Sequence, residues 1–269
     1  MTPTTTPPAR LRRPSTPTIL LLVVVLGLLG HGWTQGVAIH PEALSTGVFR
    51  LGEFLSDAVP PDFGRAGPIL GALLVTVQMA LLGTLTGVLL SLPLAVCAAA
   101  NTTPASVLYV AARAVITVCR TIPDLVWGLI FVIAVGLGPE AGVLAIAVDV
   151  MGFCGRFFAE SIEEVGVGTI ESMRAVGGSG PAVLLGAVFP TCLPSFVTTA
   201  MFALESSARS SVVLGLVGAG GIGIELSVSM TLLRYDEALA IILAIFVVVL
   251  GIERVSVAIR RRILRGDRG

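Results

Sequence analysis

Charged residues set inside apolar stretches are the first candidates for chemistry in this sequence, and they fall at helical spacing. Arg120 and Asp124, Arg156 and Glu160, and Glu205 and Arg209 are each four residues apart. On a helix, residues at that spacing share a face and can neutralise one another. One reading is a set of structural ion pairs that lower the cost of burial. The other is a charged pathway, since an isolated charge at the centre of a membrane helix costs at least about 2.5 to 3.5 kcal/mol. In that second reading Arg209 and Arg120 help an anion to pass.

Two glycine-rich stretches carry further candidates. Gly218, Gly220 and Gly223 fit G-x-G-x-x-G, with Gly221 inside the run. A dinucleotide fingerprint needs a strand before it and a helix after it in a βαβ unit, and no such unit is readable here. These glycines instead suit close backbone approach and the φ changes of a moving gate. The stretch 171–190 is a polar, glycine-rich interruption in an otherwise apolar chain, with Glu171, Ser172, Met173 and Arg174, Gly177 six positions after Glu171, and Pro190 thirteen further on. It predicts two short helical pieces joined by a glycine turn, the second leading into a bilayer-spanning segment.

Several chemistries are excluded by composition. All basic residues are arginine, so neither a P-loop lysine nor a Schiff-base lysine exists. His31 and His40 are nine apart with no cysteine at ligand spacing, and read as interfacial rather than metal-binding. No Ser-His-Asp set is plausible with both histidines at one end of the chain. Cys97, Cys119, Cys154 and Cys192 form no CxxC and read as small buried hydrophobes. A net charge of zero, two tryptophans and two tyrosines argue against nucleic acid as a partner.

The elements that must position these residues are membrane helices. Of the 269 residues 55% are apolar and 13% charged, far from the roughly 25% charge of a soluble domain. The expected fold class is an all-α polytopic membrane protein with about six transmembrane helices. Residues 1–17, rich in Pro and Thr with Arg10, Arg12 and Arg13, read as a disordered cytoplasmic tail. Residues 18–39 read as a retained first span rather than a cleaved signal peptide. Residues 40–67 read as a polar external segment with a short amphipathic helix, and 68–262 as the core.

Within the core, helices are expected over Ile69–Ala100, over 105–137 with a kink at Pro123 and Thr121 capping the new piece, and over Glu140–Glu160. A further helix is expected over Ala187–Arg209, a packed hinge or re-entrant piece over Val212–Ile224, and a last helix over Glu237–Ile259. Gly71, Gly83 and Gly87 should let helices pack closely. Residues 263–269 read as a second tail. Six crossings and arginines at both ends place both termini, and the loop 161–187, in the cytoplasm.

The spacing Glu171, Gly177, Pro190 resembles the cytoplasmic coupling loop of ABC importer permeases, with Ser172 and Met173 standing for two alanines and Ala187 and Phe189 for an isoleucine and a leucine. From about Arg120 onward the chain resembles the permease subunit of phosphonate ABC importers. The likeness rests on Arg120-Thr-Ile-Pro-Asp-Leu-Val-Trp127, Phe189-Pro-Thr-Cys-Leu-Pro-Ser-Phe196, Arg209-Ser-Ser with Ser210, and the glycine run 213–223.

That resemblance implies a type I ABC importer permease fold in a bacterial cell membrane and a non-enzymatic transport subunit without a cofactor of its own. ATP and Mg²⁺ would sit on a separate ATPase. The implied partners are a second permease copy, two ATPase subunits, an extracytoplasmic substrate-binding protein and the lipid bilayer. Glu171, Ser172, Met173, Arg174, Gly177 and Pro190 would form the coupling loop. Arg120, Asp124, Glu205, Arg209, Ser210, Gly218, Gly220, Gly221 and Gly223 would be the pathway or gate residues. Methionine importers share the glycine-rich segment, so it does not fix the substrate. A secondary transporter or channel would instead show inverted repeats, and none is visible.

Overall fold

The computed structural model describes residues 15–34 and 41–266, all of it helical apart from short connections. The expectations for residues 1–14, for the end of the first span at 35–39, for His40 and for 267–269 lie outside the described residues. The chain forms two units, Met1–Ser56 and Asp57–Gly269.

In the first unit, α1 (Thr16–Thr34) is apolar along its length, and Ile19 to Leu29 are exposed all round. Its 19 residues span about 28 Å at 1.5 Å per residue, close to the ~30 Å of a hydrocarbon core. The helix therefore starts two residues earlier than expected, at Thr16. α2 (Pro41–Ala58) carries most of the expected polar segment. Leu44, Val48, Leu51 and Leu55 make one exposed apolar stripe, with Glu42, Arg50 and Glu53 off it, an amphipathic pattern.

The second unit is built around α6 (Pro139–Glu163), which is buried along most of its length. α3 (Ala66–Ala98) lies against it at backbone contact distance. A β-carbon on Gly83 would sit 2.6 Å from Ile146 Cγ2, and one on Gly87 would sit 2.7 Å from the Ala147 carbonyl oxygen. Small residues four apart thus permit the close crossing, as expected, whereas Gly71 has open space around it.

α4 (Ser106–Thr121) crosses α6 over Gly152 and Gly155. It is bent by 94° from α5 (Asp124–Val135) at Pro123. The expected cap is not formed. Thr121 Oγ1 donates back to the Thr117 carbonyl at 2.7 Å, and the residue before α5 is Pro123 itself, with no side-chain cap.

After α6 come α7 (Val167–Ala175), α8 (Gly180–Val183), a π turn over Leu184–Val188, and α9 (Phe189–Leu216). The helix expected to end at Arg209 runs on to Leu216, because nothing in Ser210–Leu216 disfavours helix enough to stop it before Gly218. The hinge expected over Val212–Ile224 is accordingly confined to residues 217–221. It is followed by α10 (Ile222–Thr231) and α11 (Tyr235–Gly266). Five helices of the described residues are long and apolar enough to cross a membrane, or six when the bent α4 and α5 count as one span.

The core joins these helices through Phe158 of α6 and Phe196 of α9, whose rings lie 4.2 Å apart. A buried hydrogen bond from Thr84 Oγ1 of α3 to Ser207 Oγ of α9, 2.9 Å long, adds a polar cross-link. Cys119, Cys154 and Cys192 are buried free thiols in this packing, and Cys97 is half-buried.

Candidate functional site

The segment 167–190 folds as two short helical pieces about a glycine turn, as its composition predicts. α7 ends where the Gly177 and Gly178 N–H groups bond to the Arg174 and Met173 carbonyls, at 2.9 and 3.0 Å. Gly177 has φ +85, a conformation that side chains with a β-carbon disfavour. One side of α7 is anchored. Ile170 is buried, and the Met173 methyl packs toward Gly186, 2.9 Å from where a β-carbon would stand. The other side is free, with Glu171, Ser172 and Arg174 exposed and Val176 80% exposed beside the turn. An apolar tip flanked by one acid and one base on a short, anchored helix is suited to docking against another protein.

Pro190 lies in the first turn of α9, inside the helix expected from Ala187, and that helix is continuous back to Gly180. Proline has no N–H to give to the carbonyl four residues back, and its ring crowds that carbonyl. The turn just before it widens accordingly, with the Phe189 N–H bonding to the Leu184 carbonyl, five residues back.

The glycine run makes a tight turn that holds four elements together. Gly218, Gly220 and Gly221 have φ +91, +85 and +73. The Gly218 carbonyl accepts from the Gly138 N–H at 3.1 Å, and the Ile222 N–H donates to Thr76 Oγ1 of α3 at 2.8 Å. A β-carbon on Gly223 would lie 2.1 Å from the Val212 carbonyl oxygen and 2.8 Å from Gly215 Cα. α10 therefore returns against α9 with no side chain between the backbones.

The charges pair differently from their spacing. Arg156 and Glu160 form the expected bond at 2.8 Å on unbroken α6. Glu205 is bonded not to Arg209 but to Arg260 of α11, at 2.6 Å. Arg120 and Asp124 are separated by the Pro123 bend and do not pair. Among the described residues Arg120 and Arg209 make no hydrogen bond or ion pair, and Arg209 is exposed while Ser210 is half-buried.

Two further clusters were not visible as local patterns, because their members are far apart in sequence. Where α3 and α11 begin, Arg65 bonds to Glu237 and, at 3.3 Å, to Glu225. The Glu237 hydrogen bond and charge, then the Glu225 charge, hold this guanidinium above its ordinary range. At the other end of α3, Arg113 bonds to the Ala98 carbonyl and to Glu163, both at 2.8 Å. Asn101 Nδ2 donates to the Ile162 carbonyl at 2.7 Å.

Residues 87–265 match the family described as binding-protein-dependent transport system inner membrane component. The chain is 40% identical over 227 residues to the phosphate-import permease protein PhnE of Mycolicibacterium smegmatis, covering 84% of this chain but 43% of that protein's length. It is 38% identical over 229 residues to the phosphite transport system permease protein PtxC of Stutzerimonas stutzeri, covering 85% of this chain and 83% of that one. Among solved structures, an inward-facing conformation of the MetNI methionine ABC transporter superposes with TM-score 0.64 at 20% identity, over 72% of this chain and 95% of that one. The likeness shows the fold.

Proposed function

The chain belongs to the family of binding-protein-dependent transport system inner membrane components, and from that membership we propose that it is the permease of an ATP-driven importer for phosphonate or a related small phosphorus oxyanion. The observation that carries this reading is the free face of α7, with Glu171, Arg174 and Val176 exposed around a Gly177 turn while Ile170 and Met173 tie the helix to the bundle. A partner that moves α7 moves the helix behind it. The substrate class is supported by the phosphorus oxyanions named for the two relatives.

In this reading Ser172, with Glu171, Met173, Arg174 and Gly177, makes the coupling surface for an ATPase subunit that holds ATP and Mg²⁺. Two permease copies pair with two ATPase subunits, and an extracytoplasmic binding protein delivers the ligand. Six crossings put both termini on one side with α7, and the arginines at both ends favour the cytoplasm for that side. ATP binding closes the ATPases and shifts the bundle outward. The glycine turn at 217–221, Arg120 and Arg209, and the residues Ser210 and Asp124 serve the gate and pathway. Glu205 is held by Arg260 and contributes to the pathway wall rather than meeting the ion. Such coupling requires the ligand to prefer one conformation.

The test is reconstitution of the chain with its ATPase and binding protein in liposomes, followed by ATP-dependent uptake of phosphite, methylphosphonate, phosphate and methionine. Uptake of a phosphorus oxyanion is expected. Uptake of methionine alone would replace the substrate, and ATP-independent flux through this chain alone would replace the mechanism.

A further inference from the structure

A groove between α4 and α6 is used by neither the coupling surface nor the glycine turn. It holds about 300 Å³ and is lined by Arg113, Ile116, Thr117, Arg120, Thr121 and Arg156. Arg113, Thr117, Arg120 and Thr121 follow one another at i, i+4, i+7 and i+8, which sets them on one stripe of α4. The opposite face buries Ala112 and Cys119. Gly152 of α6 leaves room for the Arg120 stem, whose Cγ would be 3.1 Å from a β-carbon there.

The three guanidiniums are unequally committed. Arg113 spends Nε on the Ala98 carbonyl and Nη2 on Glu163, and Arg156 spends Nε on Glu160, each at 2.8 Å. Arg120 forms no hydrogen bond or ion pair with any described residue, and Asp149 of α6 lies within electrostatic range of it. It stands fourteen residues into α4, about 21 Å along the helix. Held only by this longer-range attraction at an exposed helix position, the guanidinium keeps its donors free for an anion.

We propose that this groove binds a phosphoryl-type oxyanion, a small group with charged P–O oxygens. The planar forks of Arg120 and Arg156 match two oxygens of such a group. The threonines add a second element of recognition. Thr117 and Thr121 hydroxyls donate backward to the Arg113 and Thr117 carbonyls, both at 2.7 Å, so they present lone pairs to the groove. A P–OH, which phosphite and alkylphosphonates partly retain at neutral pH, can donate to them. Sulfate carries no such proton. The occupant is either the imported ion, in which case the inference rests on the function proposed above, or the phosphate of a lipid headgroup. A lipid phosphodiester has no P–OH and would not use the threonines.

The test is titration calorimetry of the purified permease–ATPase complex, without binding protein, using phosphite, methylphosphonate and sulfate. In parallel, native mass spectrometry reads retained phosphatidylglycerol. For an imported ion, phosphite binds at least tenfold tighter than sulfate, and both Arg120→Gln with Arg156→Gln and Thr117→Val with Thr121→Val weaken it at least tenfold. For a headgroup, phosphatidylglycerol is retained, is lost in the arginine double variant, and is unaffected by the threonine one. Should Arg120→Gln fail to fold, Arg120→Lys keeps the charge without the fork and should still weaken binding. Monodisperse arginine variants that bind phosphite and retain lipid as the wild type does would overturn the proposal. Uptake by the wild-type complex is scored separately. Normal uptake without groove binding sinks only the groove, and groove binding without ATP-dependent uptake sinks only the importer.

Discussion

The carboxylate of Glu205 on α9 meets the guanidinium of Arg260 on α11 at 2.6 Å, across 55 positions of sequence, and passes over Arg209 one helical turn away on its own helix. Glu205 is buried. Removing its partner leaves a carboxylate without compensation, which for buried pairs costs about 3 kcal/mol or more. Arg260→Gln should therefore lower the unfolding temperature of the detergent-solubilised protein, and adding Glu205→Gln should recover much of the loss.

Arg209 is exposed and has no partner among the described residues. Arg209→Ala should leave that unfolding temperature unchanged while reducing uptake by the reconstituted importer. A destabilised Arg209→Ala protein would make the residue structural instead.

A β-carbon at Gly177, as in Gly177→Leu, would have nothing within 4 Å. The penalty is in the backbone at φ +85, about 1 to 2 kcal/mol for a left-handed residue. The variant should insert in the membrane and bind the ATPase, yet hydrolyse ATP without proportionate uptake. Hydrolysis and uptake measured on the same proteoliposomes decide this, and normal uptake would remove the coupling role.

Glu171→Ala with Arg174→Ala changes only exposed side chains of α7, so stability should shift by no more than about 0.5 kcal/mol. Co-purification of the ATPase should nevertheless fall. Full retention of the ATPase by this double variant would place the docking surface elsewhere.

Gly223→Ala puts a methyl group 2.1 Å from the Val212 carbonyl oxygen. Backbone rather than a flexible side chain must yield, so a loss of about 1 to 3 kcal/mol or failure to assemble is expected. Gly71→Ala, in open space, is the matched control and should run as wild type in fluorescence size-exclusion chromatography after heating.

Local rules recovered what depends on local chain. The Gly177 turn, the break at Pro123 and the Arg156–Glu160 pair each follow from residues within a few positions. The same i, i+4 rule misassigns Arg120 with Asp124, because Pro123 ends one helix between them. It misassigns Glu205 with Arg209 for a different reason, since a helix far along the chain supplies a competing cation. Arg65 with Glu237, and Thr76 with the Ile222 N–H, depend on which helix ends the bundle brings together, and no periodicity in the sequence carries that information. Of the groove residues, Arg120, Thr121 and Arg156 stood out in the sequence, but their union with Arg113 and Thr117 needed the crossing of α4 over Gly152.

The widened turn at Leu184–Val188 amounts to one extra residue held inside a helix. At about 100° of rotation per residue, that single residue sets the compass bearing of everything on its α7 side relative to the membrane span. Deleting one residue there would turn the chain on the α7 side by about a quarter-turn relative to α9. If α7 is the coupling surface proposed above, its aim is set by a residue count, independently of the side chains that dock.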